Sequence, residues 1–183
     1  MVTKMNVPTI HSKNDHDEAN FARWFRQCLY LPWLAGRRFD KAARIAIEEA
    51  VSAAEVGHAG EIRVVIEGHL PLNRALYQDT TGRARDLFSS LRVWDTELNS
   101  GVLLYINLCE HRVEIVADRG INAKIESSRW QAICQAVTTK LGAAEYQHGV
   151  VSGVEMIGTT LYEYYKVLES EAGNELNNAA IFL

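Results

Sequence analysis

The chain has 183 residues, of which 48% are hydrophobic and 23% are charged, and its formal net charge is -4. These totals fit one globular domain with short extensions, and the acidic balance excludes the basic surface that nucleic-acid binding requires. No apolar run reaches the ~18 residues of a membrane span, and residues 1–8 lack the apolar core of a signal peptide, so neither feature is expected. The three cysteines lack metal-binding spacing, so a reducing, cytoplasmic location without a zinc site is expected.

The two ends of the chain are predicted to lie outside the main domain. Residues 1–16 are polar and aperiodic, which is typical of a disordered tail. Residues 17–36 are predicted to form an amphipathic helix and a linker, because apolar residues recur there at helical spacing. Residues 169–183 form a polar C-terminal tail that turns apolar at its end. The helix with Trp24 and Trp33, or this tail, is the predicted surface for a protein partner.

Residues 37–168 carry the alternating pattern of an α/β domain. A strand, a helix and a second strand predict a parallel pair, and the short polar turn that follows predicts an antiparallel third strand. Helices on both faces of this small mixed β-sheet predict a three-layer α/β/α sandwich with a βαββαα core, preceded by the N-terminal helix. The predicted elements of the core are a helix over 41–56, a strand over 61–67, a helix over Arg74–Ser90, strands over 102–108 and 113–117, and helices over 127–141 and 146–168.

Four carboxylates are predicted to share one rim of the sheet, because the starts of two parallel strands and the end of their antiparallel neighbour lie at the same edge. These residues are Glu61, Asp95, Glu97 and Asp118. Clustered carboxylates repel each other unless a hard cation or an arginine compensates them, and Ca²⁺ or Mg²⁺ takes such oxygen ligands. The alternative is a set of strand-end caps and surface salt bridges, each of which contributes little.

Three segments together resemble the TPM domain family, and the resemblance extends from about Asp40 to Tyr165. They are Gly60–Glu67, Trp94–Tyr105 and Val113–Ile121. The resemblance implies an α/β/α sandwich, in agreement with the pattern of strands and helices. Thylakoid members of that family are described as acid phosphatases with a calcium site, and the chain is similar to its short, soluble bacterial subtype.

The resemblance and the acidic rim together predict an accessory or binding protein that holds Ca²⁺ or Mg²⁺ at Glu61, Asp95, Glu97 and Asp118, without a nucleotide or organic cofactor. One alternative is a weak metal-dependent acid phosphatase, in which Asp95 and Asp118 would be the catalytic carboxylates. Enzyme activity is implied by the resemblance alone, because the sequence contains no phosphatase signature. A structural protein–protein interaction module is the other alternative.

Overall fold

The computed structural model describes residues 9–11, 20–30, 37–166 and 176–183. Its sheet has five strands in the order β1-β4-β3-β2-β5. In chain order they are β1 (Thr9–His11), β2 (Glu61–Glu67), β3 (Gly101–Asn107), β4 (Arg112–Ala117) and β5 (Ile181–Phe182). Strand β2 runs parallel to β3 and β5, whereas β4 is antiparallel to β3 and β1. The predicted mixed sheet is therefore confirmed.

Helices cover both faces of the sheet, which confirms the predicted three-layer α/β/α sandwich. The helices are α1 (Asn20–Leu29), α2 (Lys41–Ala54), α3 (Leu72–Ala75), α4 (Thr80–Ser90), α5 (Arg119–Asn122), α6 (Ser127–Gly142) and α7 (Tyr146–Tyr165). Helices α2, α6 and α7 supply the larger apolar core on one face, and α4 supplies a smaller core on the other. Among the helices described, none combines the length and apolarity needed to cross a bilayer.

The central strands divide their side chains between these two cores with the period of two that a strand imposes. Ile62, Val64 and Ile66 of β2 face the larger core, and Val65 faces α4. Every residue of β3 is buried. The nearly continuous apolar run that identified β3 in the sequence thus reflects cover on both faces.

The prediction of one helix over Arg74–Ser90 is wrong. The structure has two helices in this region, α3 and α4, and residues 76–79 between them are not helical. The second helix begins after Asp79, whose carboxylate accepts a hydrogen bond from the backbone nitrogen of Gly82 at 2.7 Å. An aspartate in this position satisfies a backbone donor that the first turn of a helix leaves unpaired. The N-cap therefore starts a new helix inside a segment whose apolar pattern is continuous.

Each predicted tail contains a short strand, which corrects the prediction of a disordered N-terminal tail at Thr9–His11. Strand β1 pairs with β4, and β5 pairs with Val65 and Ile66 of β2. Strands of two or three residues are too short for their alternation to be recognised in a sequence. The other residues of segments 1–16 and 169–175, and the linker that contains Trp33, lie outside the described residues.

Helices α2 and α7 run side by side in the same direction. At their N-terminal ends the rings of Phe39 and Tyr146 are 6.1 Å apart. At the other end Gly158 packs closely on Ala54. The positive ends of both helix dipoles therefore lie near the C-terminal end of β2, and the negative ends lie near its start. We call the end of the sheet at which β2 starts the acidic rim. The end at which β2 finishes is the opposite rim.

Candidate functional site

Two of the four predicted carboxylate residues flank the same glycine at the acidic rim. Glu61 pairs with Gly101 in the register of β2 and β3. Asp118 directly follows β4, and its backbone N–H donates a hydrogen bond to the Gly101 carbonyl oxygen at 2.9 Å. The strand directions therefore place Glu61 and Asp118 at the same end of the sheet, the acidic rim, as predicted from the sequence.

The structure does not gather the four carboxylates into one ligand set. Within the described ranges, no group of three or more His, Cys, Asp or Glu side chains could hold a metal ion. Glu61 is buried and uses its Oε2 to accept the backbone nitrogen of Leu176 at 3.1 Å. Asp95 and Glu97 are exposed in the segment that precedes β3. A cation site at this rim would therefore be smaller than the sequence predicted.

Asp118 differs from the other three because one of its carboxylate oxygens is buried without a partner in the part of the chain that the structure describes. The residue is 6% exposed, and its Oδ1 accepts the backbone nitrogen of Arg119 at 2.6 Å, which caps α5. Its Oδ2 has no hydrogen-bond partner among residues 9–11, 20–30, 37–166 and 176–183. Removing a carboxylate oxygen from water costs free energy unless another group replaces the lost hydrogen bonds. A buried oxygen of this kind therefore requires a physical explanation, such as a bound ion.

Several other oxygen atoms converge on the backbone of Gly120, two residues after Asp118. A β-carbon added to Gly120 would lie 2.7 Å from the Asn99 carbonyl oxygen, 3.1 Å from the Leu98 carbonyl oxygen and 3.3 Å from the Tyr165 hydroxyl oxygen. Asn99 has a φ of 52°, in the left-handed region, and this conformation helps to orient the carbonyl groups of the turn. Only glycine leaves room for this convergence.

The Tyr165 hydroxyl is also buried, and none of the described residues is its hydrogen-bond partner. Burial raises the pKa of Tyr165, and the nearby negative charge of Asp118 raises it further. The Lys124 ammonium lies 4.1 Å from the centre of the Tyr165 ring, so a positive charge already lies against this group. Carboxylate and backbone carbonyl oxygens next to a helix C-terminus form an environment that suits a hard cation.

A second polar cluster, at the opposite rim on the α4 face, was missed by the sequence analysis. Arg83 donates to both carboxylate oxygens of Glu67, with its Nη2 2.6 Å from Oε1. The Tyr105 hydroxyl donates to Glu67 Oε2 at 2.6 Å and accepts from Asn107 at 3.0 Å. These groups satisfy one another, and Glu67 is only 2% exposed. Polar residues at alternate positions of otherwise apolar strands were the signal that could have revealed this cluster.

Glu114 lies on the same face and has a strongly perturbed carboxyl group. Its Oε1 accepts hydrogen bonds from the hydroxyls of Thr80 at 2.8 Å and Thr81 at 3.2 Å, whereas its Oε2 is buried with no partner among the residues that the structure covers. Burial raises the pKa of Glu114 from 4.5 to about 7, although the two threonine hydrogen bonds lower it. The folded state therefore binds a proton that the unfolded chain releases between pH 4.5 and 7.

Replacing Glu114 by glutamine is expected to remove this pH dependence. Because the carboxyl pKa is raised on folding, wild-type stability falls as the pH increases from 4.5 to about 7. The difference in free energy of unfolding between Glu114→Gln and wild type should shift in favour of the variant by about 3 kcal/mol between pH 4.5 and 8. Urea denaturation at several pH values measures this difference. Glu55, whose pKa is also about 7, titrates in both proteins and cancels. A difference that is constant with pH would contradict the prediction.

Two apolar side chains of helix α1 are exposed to solvent, which bears on the predicted interaction surface. Phe25 is 53% and Leu29 is 65% exposed. Gln27 of the same helix is buried; its amide nitrogen donates a hydrogen bond to Glu110 at 2.7 Å, and its amide oxygen accepts one from the backbone N–H of Leu70 at 2.8 Å. These polar bonds attach α1 to the domain and leave Phe25 and Leu29 accessible.

Comparison with known proteins agrees with this architecture. The sequence model of the TPM domain family, TPM_phosphatase, matches residues 37–160. A similar solved structure is the NMR structure of the BA42 protein from the psychrophilic bacterium Bizionia argentinensis. It is 28% identical, with a TM-score of 0.71, and the match covers 79% of this chain and 95% of that chain. No curated protein matches significantly. Because the family match spans more than half of its residues, the chain belongs to the TPM domain family.

Proposed function

We propose that this TPM domain is a binding module that holds a divalent cation, Ca²⁺ or Mg²⁺, at the end of β4. Asp118 is its charged ligand, and the carbonyl oxygens of Leu98 and Asn99 are candidates for neutral ligands. The Tyr165 hydroxyl completes the set of oxygens around Gly120. Glu61, Asp95 and Glu97, the other predicted ligands, contribute negative potential to the rim.

The observation that carries the proposal is the Oδ2 of Asp118, which is buried and has no partner within the described ranges. A cation there would satisfy this atom directly. The C-terminal ends of α2 and α7 add negative potential at the same rim, which also favours a cation. Ca²⁺ accepts a mixture of carboxylate and carbonyl oxygens in flexible geometry, so the mixed donor set supports Ca²⁺ more than Mg²⁺, which requires near-octahedral coordination.

Addition of Ca²⁺ to protein treated with EDTA is expected to raise the melting temperature of the wild type. A ligand that binds only the folded state adds about 2.7 kcal/mol of stability at 100 times its Kd. The variant Asp118→Asn should lose this increase, because the amide removes the charge. Asparagine caps helices as well as aspartate does, so the variant keeps the start of α5. Thermal melts and calcium titration by calorimetry measure both effects.

Asp95→Asn is the matched control, because this carboxylate is exposed at the same rim. Its calcium response should remain close to that of the wild type, with at most the small loss expected from a screened surface charge. An equal loss in Asp95→Asn and Asp118→Asn would instead support the wider ligand set. A wild-type melting temperature that does not respond to Ca²⁺ or Mg²⁺ would reject the proposal.

Phosphatase activity would demand more of these residues than cation binding does. Asp95 or Asp118 would have to act as a nucleophile or a general base at phosphorus. Asp95 is exposed, and Asp118 uses one oxygen to cap α5. Neither observation favours catalysis, so the proposal is confined to binding. The interaction alternative has the exposed Phe25 and Leu29 in its favour, and a protein without a cation response would make α1 the next surface to test.

A further inference from the structure

Residues 176–183 lie beside β2 from its start to its end, and we call them the C-terminal strap. Near the opposite rim the backbone N–H of Leu183 donates a hydrogen bond to the Ile66 carbonyl oxygen at 3.0 Å. At the acidic rim the backbone N–H of Leu176 donates a hydrogen bond to Oε2 of Glu61 at 3.1 Å. The strap therefore connects the acidic rim to the opposite rim.

The strap is anchored by one aromatic ring and by polar contacts. The ring centre of Phe182 lies 5.6 Å from that of Phe39, and the Arg44 guanidinium lies 3.7 Å from the centre of the Phe182 ring. The side-chain amide of Asn178 donates a hydrogen bond to the Ser52 hydroxyl at 3.0 Å. No residue of the strap is fully buried. A segment of this kind opens locally at a smaller cost in free energy than either core does.

Glu61 and Asp118 lie in one row across the sheet, with Gly101 between them. Gly101 pairs with Glu61, and on its other side the hydrogen bond from Asp118 extends the register of β3 and β4 by one residue. Neighbours in such a row project their side chains from the same face of the sheet. Gly101 has no side chain, and the Val93 carbonyl oxygen occupies the space where its β-carbon would lie. Two carboxylate-bearing residues therefore flank one carbonyl oxygen, with their α-carbons about 10 Å apart, which is two strand spacings.

The strap engages the Glu61 carboxylate. Glu61 is 4% exposed, and the N–H that its Oε2 accepts belongs to Leu176, the first residue of the strap. A cation that approaches this oxygen meets the partial positive charge of the N–H and competes with it for the same lone pairs. Coordination of a cation by Oε2 of Glu61 and docking of the strap at Leu176 therefore oppose each other.

We propose that the C-terminal strap is an autoinhibitory element of the cation site, and that its release allows Glu61 to join Asp118 as a second charged ligand. Such regulation, which rests on the proposed function, couples two equilibria. A cation that binds more tightly when the strap is released shifts the chain toward the released state. By linkage, loosening the strap strengthens cation binding by the same factor. The number of charged ligands is one of the features that set the affinity of a Ca²⁺ site, so a second carboxylate supplies the required difference between the two states.

Hydrogen exchange of the wild type, in EDTA and in saturating Ca²⁺, tests this coupling without any substitution. A ligand that only stabilises the folded state slows the exchange of amides that unfolding exposes. The amide of Leu104, in the buried strand β3, should therefore exchange more slowly in Ca²⁺. The amides of Leu176 and Leu183 should instead exchange about fivefold faster or more, because the cation releases the strap.

Phe182→Ala weakens the strap and is expected to lower the Kd for Ca²⁺, measured by calorimetry, about fivefold or more. Glu61→Gln keeps an acceptor for the Leu176 N–H but removes the charge, so adding Phe182→Ala to it should leave the Kd unchanged. Phe25→Ala is the matched control, because this exposed phenylalanine belongs to α1, and its Kd should equal that of the wild type.

Two results would overturn autoinhibition while leaving the cation site intact. They are strap amides that slow together with Leu104, and a Phe182→Ala variant whose Kd for Ca²⁺ equals that of the wild type. An equal decrease of the Kd with and without Glu61→Gln would overturn the role of Glu61. Absence of Ca²⁺ binding in both the wild type and Phe182→Ala would reject the cation site itself, and the role of the strap with it. If Phe182→Ala does not fold, the exchange measurement on the wild type decides alone.

Discussion

Replacing Gly101 by alanine is expected to lower the free energy of unfolding by at least about 3 kcal/mol, which is a large effect for one methyl group. A β-carbon at this position would overlap the Val93 carbonyl oxygen and lie 2.9 Å from the Val93 carbonyl carbon. Both atoms belong to the backbone, so no side-chain rotation relieves the overlap, and the start of β3 must move. Because Asp118 is hydrogen-bonded to Gly101, this movement should also weaken any calcium response at the acidic rim.

Gly142→Ala provides the matched control, because a β-carbon on Gly142 meets no atom within 4 Å. Gly142 is the last residue of α6, where alanine should be neutral or stabilising by up to about 1 kcal/mol. Chemical denaturation of both variants measures the contrast. Similar losses in the two variants would mean that the effect of Gly101→Ala comes from glycine propensity and not from the overlap with Val93.

Replacing Arg83 by methionine is expected to cost about 3–5 kcal/mol, because it leaves the Glu67 carboxylate buried without its cation. Glu67 is 2% and Arg83 13% exposed, so water cannot take over the lost hydrogen bonds without opening the structure. For a chain of this length the melting temperature should fall by roughly 10 °C. Equilibrium unfolding and thermal melts at neutral pH measure both quantities.

The exposed pair of Arg74 and Asp86 is the control for this prediction. Its distance of 2.8 Å resembles that of the buried pair, but its side chains are 47% and 53% exposed. Arg74→Met should therefore cost less than about 1 kcal/mol. The double variant Arg83→Met with Glu67→Gln should recover part of the lost stability, because the remaining buried group is then neutral. A double variant no more stable than Arg83→Met would contradict this explanation.

The central strands could be predicted from the sequence because their information is local. Apolar runs and turn residues define β2, β3 and β4, and the rules for connecting strands then fix which ends share a rim. That reasoning placed Glu61 and Asp118 at the same end of the sheet, and the observed strand register agrees with this placement. Layer order followed from the helices, since each must bury its apolar side against the sheet.

The side-chain arrangement at the rim could not be predicted, because it depends on contacts between residues distant in the chain. Glu61 is engaged by Leu176, 115 residues away. The direction of the Asn99 carbonyl depends on a left-handed backbone conformation that no local sequence motif predicts. Likewise, Glu114 resembles an ordinary solvent-facing strand residue until α4 covers that face with Thr80 and Thr81. Strand pattern therefore predicts where a site lies more readily than which atoms form it.

The two short terminal strands have a consequence for how copies of this protein meet one another. Without β1 and β5, the backbone donors and acceptors of β4 and β2 would form open sheet edges beside an almost wholly apolar β3. Open edges of this kind template pairing between molecules and lead to aggregation. Strand β1 pairs with three residues of β4 and β5 pairs with Val65 and Ile66 of β2, so each edge is partly covered by a very short strand. Because very short edge strands are poor templates for pairing, we expect these terminal segments to limit self-association through the sheet.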